Sequence, residues 1–540
     1  MIIILLSMVG AIGMADGAAT AAPPRPEAGV NAVGEPLRGT APDGAVRGFA
    51  DAHSHLFSNE AFGGGLLCGR PFDPRGVAAA LTDCPDHHPH GEAAWFENFT
   101  RTGSPIGTHD PVGWPTFKDW PAHDSLTHQQ AHYRWIERAW RGGLRVMVND
   151  LVANRQLCEV YPVRRNPCDE MDTIRLQARR TTELQDHIDA EYGGPGRGWF
   201  RIVRDPAEAR KVIADGKLAV VLGVETSEPF GCRQSLGVPH CDRARIDRGL
   251  DELHRLGVRG MFLCHKYDNA LCGVRFDSGV QGAAVNLGNF LSTGAFWRAR
   301  TCAGAEHDNP IGPGGPLPGP LERLMPPGAG PPAYPRTPHC NVKGLTGLGE
   351  HTLRAMMRRG MIVEIDHMSV KAADRTLGIL EAAGYPGVIS SHSWVDPGYR
   401  RRIYRLGGMV TSYGFPAERF AEEWRETRAL REGEHRFGFG YGLDAGGLGP
   451  LPAPRPPGGA AGPVTYPFRS FDGGVTLDRQ RTGERVWDVN VDGVANYGLV
   501  PDWIEDLRIV AGDGIVRDLA SGAEAYLRMW EAAETRRGGG

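Results

Sequence analysis

Short apolar runs alternate with amphipathic segments along most of this chain, and many of the runs close on a polar residue. Residues 361–365 are apolar except for Glu364, have the length of one strand, and lead into Asp366 and His367. Ser369 then stands at an N-cap position. Ala372, Leu377, Leu380 and Ala383 recur at helical spacing as far as Gly384, a C-terminal stop. Residues 386–391 form a second short strand that delivers His392. Strands joined by a helical crossover run parallel, so His367 and His392 are predicted to share one carboxyl edge.

The same reading extends along the chain. Strands are predicted at 46–52, 144–152, 218–224, 258–264, 408–412 and 435–443, with helices at 123–141, 168–192, 205–215, 242–256, 344–359 and 417–431. Eight strands separated by helices predict an α/β fold, a (β/α)8 TIM-type barrel. The barrel is expected over 48–450, with long insertions at 58–121 and at 273–343, the second carrying a Pro/Gly run. Insertions of this kind usually shape or cover the pocket of a barrel. Residues 451–540 read as a C-terminal extension packing on the barrel, with helices at 502–508 and 520–532.

Ahead of the barrel, residues 1–22 read as a signal segment, apolar from Ile2 to Met14 and followed by small residues. Residues 23–47 read as a Pro/Gly/Ala-rich linker. The ten cysteines fall in close successive intervals: Cys68 and Cys84, Cys158 and Cys168, Cys232 and Cys241, Cys264 and Cys272, Cys302 and Cys340. An even count behind a signal segment predicts loop-stapling disulfides, with connectivity left open, and a secreted or periplasmic location. A net charge of -4 gives no reason to expect nucleic acid as a partner. No stable membrane anchor is expected. The tract with His87, His88 and His90 reads as a solvated loop.

The chemistry lies in the residues that end the strands. In order these are His53 and His55, Glu225, His265, His367, His392 and Asp444. Any one is ordinary; together, at matching positions, they are hard to explain as core packing. A glutamate at the end of a buried strand needs a partner, because an unpaired buried carboxylate is costly. Imidazole with carboxylate suits zinc, whereas carboxylates alone would suit magnesium or calcium. Two Zn2+ per chain are expected, His53 and His55 holding one, His367 and His392 the other, and Glu225 bridging. Bound water then becomes a nucleophile at neutral pH. Asp444 would take its proton and return it to the leaving amine, and His265 would polarise the scissile carbonyl.

His-x-His, Glu, His, His and Asp on strands 1, 3, 5, 6 and 8 resembles the layout of the amidohydrolase superfamily. Within it, the stretches GVE (223–225), CHKYDN (264–269), KGLTGLGEHTLRAMMRRGMIVEIDHMS (343–369), ISSHS (389–393) and GYGLDAGG (440–447) are similar to the membrane (renal-type) dipeptidase family. The resemblance covers residues 48–447. It implies that Glu225 bridges two zincs, that His367 and His392 complete the second, that His265 contacts substrate, and that Asp444 is the acid/base. It also implies that an arginine after SHS clamps the substrate carboxylate, with Arg400, Arg401 and Arg402 as candidates. The family has His-x-Asp on the first strand where this chain has His53-x-His55, and its C-terminal Gly-Asn motif is replaced by SGAEAYLRMW. The expectation is a secreted binuclear zinc hydrolase of dipeptides or similar small amides. The alternative is a relative acting on a lactone, cyclic amide or N-acyl compound. The partner is a small-molecule or dipeptide substrate, and a homodimer is left open.

Overall fold

The computed structural model describes residues 29–82, 84, 94–102, 104–311, 332–430, 437–456, 458 and 461–537. The signal segment, the tract of His87, His88 and His90, and much of the second Pro/Gly run lie outside the described residues.

Eight strands form the barrel: β1 (Phe49–Ser54), β2 (Leu144–Ala153), β3 (Leu218–Thr226), β4 (Gly260–Phe262), β5 (Ile362–Glu364), β6 (Val388–Ser390), β7 (Met409–Tyr413) and β8 (Gly440–Gly442). All neighbours pair in parallel, in the order β3-β2-β1-β8-β7-β6-β5-β4, and Phe200–Ile202 adds a short strand beside β3. A parallel bridge between Leu222 and Val258, with the Arg259 amide donating to the Leu222 carbonyl at 2.8 Å, closes β3 onto β4. The fold is the expected (β/α)8 barrel.

Each strand is followed by at least one helix, among them α1 (Tyr133–Arg141), α2 (Glu170–Glu191), α3 (Arg243–Leu256), α4 (Gly347–Arg358), α5 (Val370–Ala383), α6 (Arg400–Leu406), α7 (Ala417–Ala429) and α8 (Val500–Ala511). Their ends agree with the sequence signals. The Ser369 hydroxyl accepts from the Ala372 amide at 3.1 Å and so caps α5, and Gly384 ends that helix in the left-handed region. Strands β2 and β3 are buried along their whole length, as strands covered on both faces must be. Val146, Val148, Ala219, Val221, Ile362, Ile389 and Met409 pack in one cluster with Tyr526, Leu527 and Trp530 of α9 (Gly522–Thr535). The C-terminal helix is thus part of the barrel's own core.

The stretch expected as a linker is structured where it is described. Ala32–Gly34 pairs antiparallel with Val475–Leu477, and the Val46 amide donates to Glu524 of α9 at 2.7 Å. Composition suggested a tether because it cannot show a pairing partner some 440 residues away. The extension grips the barrel elsewhere too: Tyr497 donates to Asp51 at 2.5 Å, and Arg138 and Asp502 form a fully buried ion pair.

The insertion after β4 builds a helix (Gly279–Thr293) and a hairpin (Ala299–Thr301 with His339–Asn341) stapled by Cys302–Cys340. The other disulfides are Cys68–Cys84, Cys158–Cys168, Cys232–Cys241 and Cys264–Cys272. All four close short loops, the pairing that spacing left open. Asn98, which opens the glycosylation sequon Asn98-Phe99-Thr100, is buried and donates to the Gly107 carbonyl. No helix among the described residues is long and apolar enough to cross a membrane.

Asp308 pins the insertion to α5: its carboxylate accepts from the Val370 amide at 2.9 Å and from the Asn341 amide at 2.7 Å. Burial pushes its pKa up from 3.8 to about 6. A carboxyl that binds its proton more tightly when folded favours the fold below its unfolded pKa. That contribution, up to roughly 3 kcal/mol, is lost as pH rises from about 4 to about 6. Thermal melts from pH 4 to 7 are therefore expected to fall less steeply with pH in Asp308→Asn than in wild type. Parallel profiles would contradict this.

Candidate metal centre

Every strand-end residue named from the sequence lies at the carboxyl edge of the barrel, and their side chains converge. Glu225 sits at the centre. Its Oε2 is 3.4 Å from His55 Nε2, 3.6 Å from His265 Nε2 and 3.8 Å from His53 Nε2, and its Oε1 is 3.2 Å from His367 Nε2. His367 Nε2 and His392 Nε2 are 2.9 Å apart. Asp444 Oδ1 lies 3.1 Å from His55 Nε2 and 3.5 Å from His53 Nε2. No arginine among the described residues bonds Glu225; its partners are imidazoles.

The backbone is bent to make this meeting. His367, Ser393 and Asp444 hold φ of 64°, 59° and 54°, in the left-handed region. For residues with a Cβ this costs on the order of 1–2 kcal/mol each, and such strain clusters at functional sites. Main-chain bonds hold the conformation: the Asp444 amide donates to the His53 carbonyl, the His55 amide to Ala445, and the Arg275 amide to His367. On β1, the pairing with β2 shifts register between Asp51 and Ser54. An irregularity of this kind re-aims side chains. It lets His53 join the cluster although Asp51, two residues earlier, bonds to Tyr497 of the extension. Two glycines keep the centre open. A Cβ on Gly442 would lie 3.0 Å from the Cβ atoms of both His53 and His392, whose rings stack at 4.1 Å. A Cβ on Gly223 would collide with the Asp150 carboxylate.

Two carboxylates missing from the sequence-derived set stand behind these histidines. Asp150 of β2 places Oδ2 3.0 Å from His53 Nδ1, and its backbone carbonyl lies 2.6 Å from His55 Nδ1. Asp366 holds His392, with Oδ2 3.1 Å from Nδ1 and 2.8 Å from the backbone amide. In each pair the carboxylate takes Nδ1 and turns Nε2 toward the centre, as carboxylate–histidine–metal arrangements do. Asp150 was available to the argument that found Glu225, since it too is an acid inside a buried apolar strand. Replacing Asp150 with Asn is expected to weaken metal affinity about 10- to 100-fold while the protein stays folded. Metal retained after dialysis against graded chelator measures this, and unchanged retention would contradict the bracing role.

The charges fit a cation. Burial pushes Glu225 up, partly opposed by His53, His55 and His392. Burial opposes charge on His53, but Glu225 and Asp150 outweigh it and hold its pKa well above 6.5. His55 is likewise raised against burial, through Asp444. Asp444 is held far below the ordinary carboxylate range by its bonds to His53 and His55, despite burial. His265 and His367 are driven strongly down by burial, with the positive charge of Lys266 adding to it. The centre thus stabilises positive charge beside Glu225 and Asp444 and keeps two other imidazoles neutral and able to ligate. A metal ion at the first pair would replace protons.

Two atoms test the fit further. His53 Nε2 and Glu225 Oε1 are buried and have no hydrogen-bond partner among the described residues. An imidazole nitrogen and a carboxylate oxygen left unpartnered in the centre are the donor types of a zinc cage. Three groupings bring ligand atoms within 4.8 Å of one another: His53, His55 and Asp444; His53, Glu225 and His392; Glu225, His265 and His367. His265 falls in the third of these groupings. A fourth grouping, Cys68, Cys84 and His128, contains a disulfide.

The three candidate arginines separate. Arg400 is buried, with its guanidinium 3.6 Å from Glu423, which in turn accepts from Ser393 and Ser412 at the ends of β6 and β7. Arg401 is exposed on α6. Arg402 is committed to Asp374 and Glu381 at 2.7 Å each. The sequence did not single out Lys266 and Trp394. Lys266 Nζ is 3.1 Å from Asp277 and 5.3 Å from the Trp394 ring centre, and that ring lies 5.5 Å from His367.

No family model matches the chain, and no curated protein matches it. Solved structures do. A metallopeptidase from Rhodobacter sphaeroides liganded with a phosphinate mimic of the dipeptide L-Ala-D-Ala is 13% identical, with a TM-score of 0.45, covering 90% of this chain and 99% of that one. An amidohydrolase from Pseudomonas aeruginosa is 13% identical (TM-score 0.39; 73% and 90% covered). A probable dipeptidase from the same organism is 14% identical (TM-score 0.36; 76% and 90% covered).

Proposed function

We propose that this chain is a binuclear zinc hydrolase that cleaves dipeptides or similar small amides outside the cytosol. The observation that carries the reading is the convergence of five imidazoles on Glu225, with Asp444 beside them at the open end of the barrel. His53 and His55 would hold one ion and His367 and His392 the other, with Glu225 between. Two divalent ions bound there supply Lewis acidity and make a nucleophile from water at neutral pH.

The chain's own groups do the rest. Asp444 is ionised, acceptor-only and within reach of the centre, so it takes the proton released when water attacks and delivers it to the leaving nitrogen. His265, neutral at working pH, offers an N–H to the carbonyl oxygen as it gains charge. We assign Arg400 to the substrate's terminal carboxylate, and Asp150 and Asp366 keep the imidazoles in one tautomer. Five disulfides support an oxidising compartment.

The test is hydrolysis of a dipeptide panel, including D-residues on the C-terminal side, by chelator-stripped protein before and after zinc is restored. Zinc-dependent cleavage is expected. With no cleavage of any dipeptide by remetallated protein, the favoured reading becomes hydrolysis of a lactone, cyclic amide or N-acyl compound. His55, standing where a carboxylate was expected, already points a little in that direction.

A further inference from the structure

The centre carries one cation that neither the metal cage nor the carboxylate clamp uses. Lys266 directly follows His265, and its ammonium is fixed at two points: 3.1 Å from Asp277 Oδ1 and over the face of Trp394. Trp394 is the second residue after His392, and its ring lies beside His367, so this one indole links Lys266 to the metal centre. The Lys266 amide donates to Ser227, two residues past Glu225. The residue is thus held through its backbone by the segment after β3 and through its side chain by Asp277, after β4, and Trp394, after β6. An ammonium has three N–H donors, and only one is accounted for by Asp277. The Trp394 Nε1 hydrogen is buried and finds no acceptor among the described residues.

A cation with only 20% of its side chain exposed and a buried unmatched donor beside a reactive centre are costly unless something accepts from them. Arg400, whose Nε likewise lacks an acceptor among the described residues, starts α6 in the same β6-to-β7 connection as Trp394. The first-strand ligands of this chain are two imidazoles with no carboxylate between them. Around Lys266 and Trp394 there are therefore donors that the described acceptors leave unused.

We propose that Lys266 and Trp394 form an anion-accepting subsite beside His367, so that the favoured substrate carries an acidic group in addition to its terminal carboxylate, as an aspartyl or glutamyl dipeptide does. This rests on the hydrolase reading and names its substrate class. Asp277 is the positioning residue: it fixes the ammonium but leaves donors for the ligand.

Two measurements separate this idea from the reading beneath it. The first is kcat/KM for Ala-Glu and Glu-Ala against their neutral isosteres Ala-Gln and Gln-Ala, with zinc-loaded wild type, Lys266→Met and Lys266→Arg. Wild type is expected to favour the acidic member of at least one pair by about tenfold or more, Lys266→Met to bring that ratio near one, and Lys266→Arg to keep most of it. Because Lys266→Met leaves Asp277 buried without its cation, Lys266→Met with Asp277→Asn is run beside it, and zinc content is checked in each. A ratio near one in wild type, or one unchanged by losing Lys266, overturns the subsite. The second measurement is calorimetric binding of glutarate against glutaramide to the same zinc-loaded proteins. It reports on the subsite even if no dipeptide is hydrolysed. Glutarate binding that weakens about tenfold without Lys266 supports the subsite on its own, and binding equal in all variants overturns it.

Discussion

Replacing Asp444 with Asn is expected to lower kcat by about 10²- to 10⁴-fold and to leave two zinc ions in place. The asparagine keeps the shape and one oxygen near His53 and His55 but cannot take a proton. Asp444 is the one carboxylate of the centre that is partly open to solvent, at 18% of its side chain, so it can meet both water and substrate. Its backbone is held in the left-handed region and bonded to His53, which fixes the carboxylate independently of the side chain's charge. KM is expected to change little, because the lost interaction acts on the proton in flight. Zinc analysis and steady-state kinetics on one preparation decide the matter. Loss of an ion would make Asp444 a ligand, and turnover near the wild-type rate would remove it from the mechanism.

The second large effect is expected at Glu225. Glu225→Gln keeps volume but replaces one oxygen of the central carboxylate with an amide donor that points at four imidazoles. All four lie within 3.8 Å of a Glu225 oxygen, and none can move away, since His53, His55, His265 and His367 all end buried strands. Zinc content is expected to fall from two ions to one or none and kcat/KM to fall by about 10³-fold or more, because bridging charge is lost along with a ligand. Thermal stability in excess zinc should drop toward that of chelated wild type, since a bound metal stabilises the fold by mass action. Two ions retained at wild-type affinity would mean that Glu225 is a structural acid and the imidazoles alone hold the metal.

Most of the fold was legible because each strand announces itself twice, as an apolar run and by the polar residue and helix start behind it. The helix after His367 shows why: Ser369, the spacing of Ala372, Leu377 and Leu380, and Gly384 are local signals, and local signals survive in sequence. The site was legible for a related reason. A parallel barrel puts every strand's end on one face, so listing strand-end polar residues lists the site. The features that stayed hidden are non-local. Nothing near Ala32–Gly34 tells of Val475–Leu477, and nothing near Lys266 tells of Trp394. Asp150 was within reach of the argument that found Glu225, as an acid inside the run LRVMVNDLVA, but only the barrel shows that its partner is His53. The residue roles that depend on ring orientation, such as the nearness of His265 to Glu225, likewise need the third dimension.

The central claim is that the Glu225 cluster is a two-metal hydrolytic centre. Its most direct test titrates chelator-stripped protein with zinc while bound zinc and dipeptide hydrolysis are followed in the same samples. The account expects two ions per chain to bind tightly and turnover to rise with occupancy until both sites are filled. Fewer than two tightly bound ions, or hydrolysis that persists in the stripped protein, would contradict it.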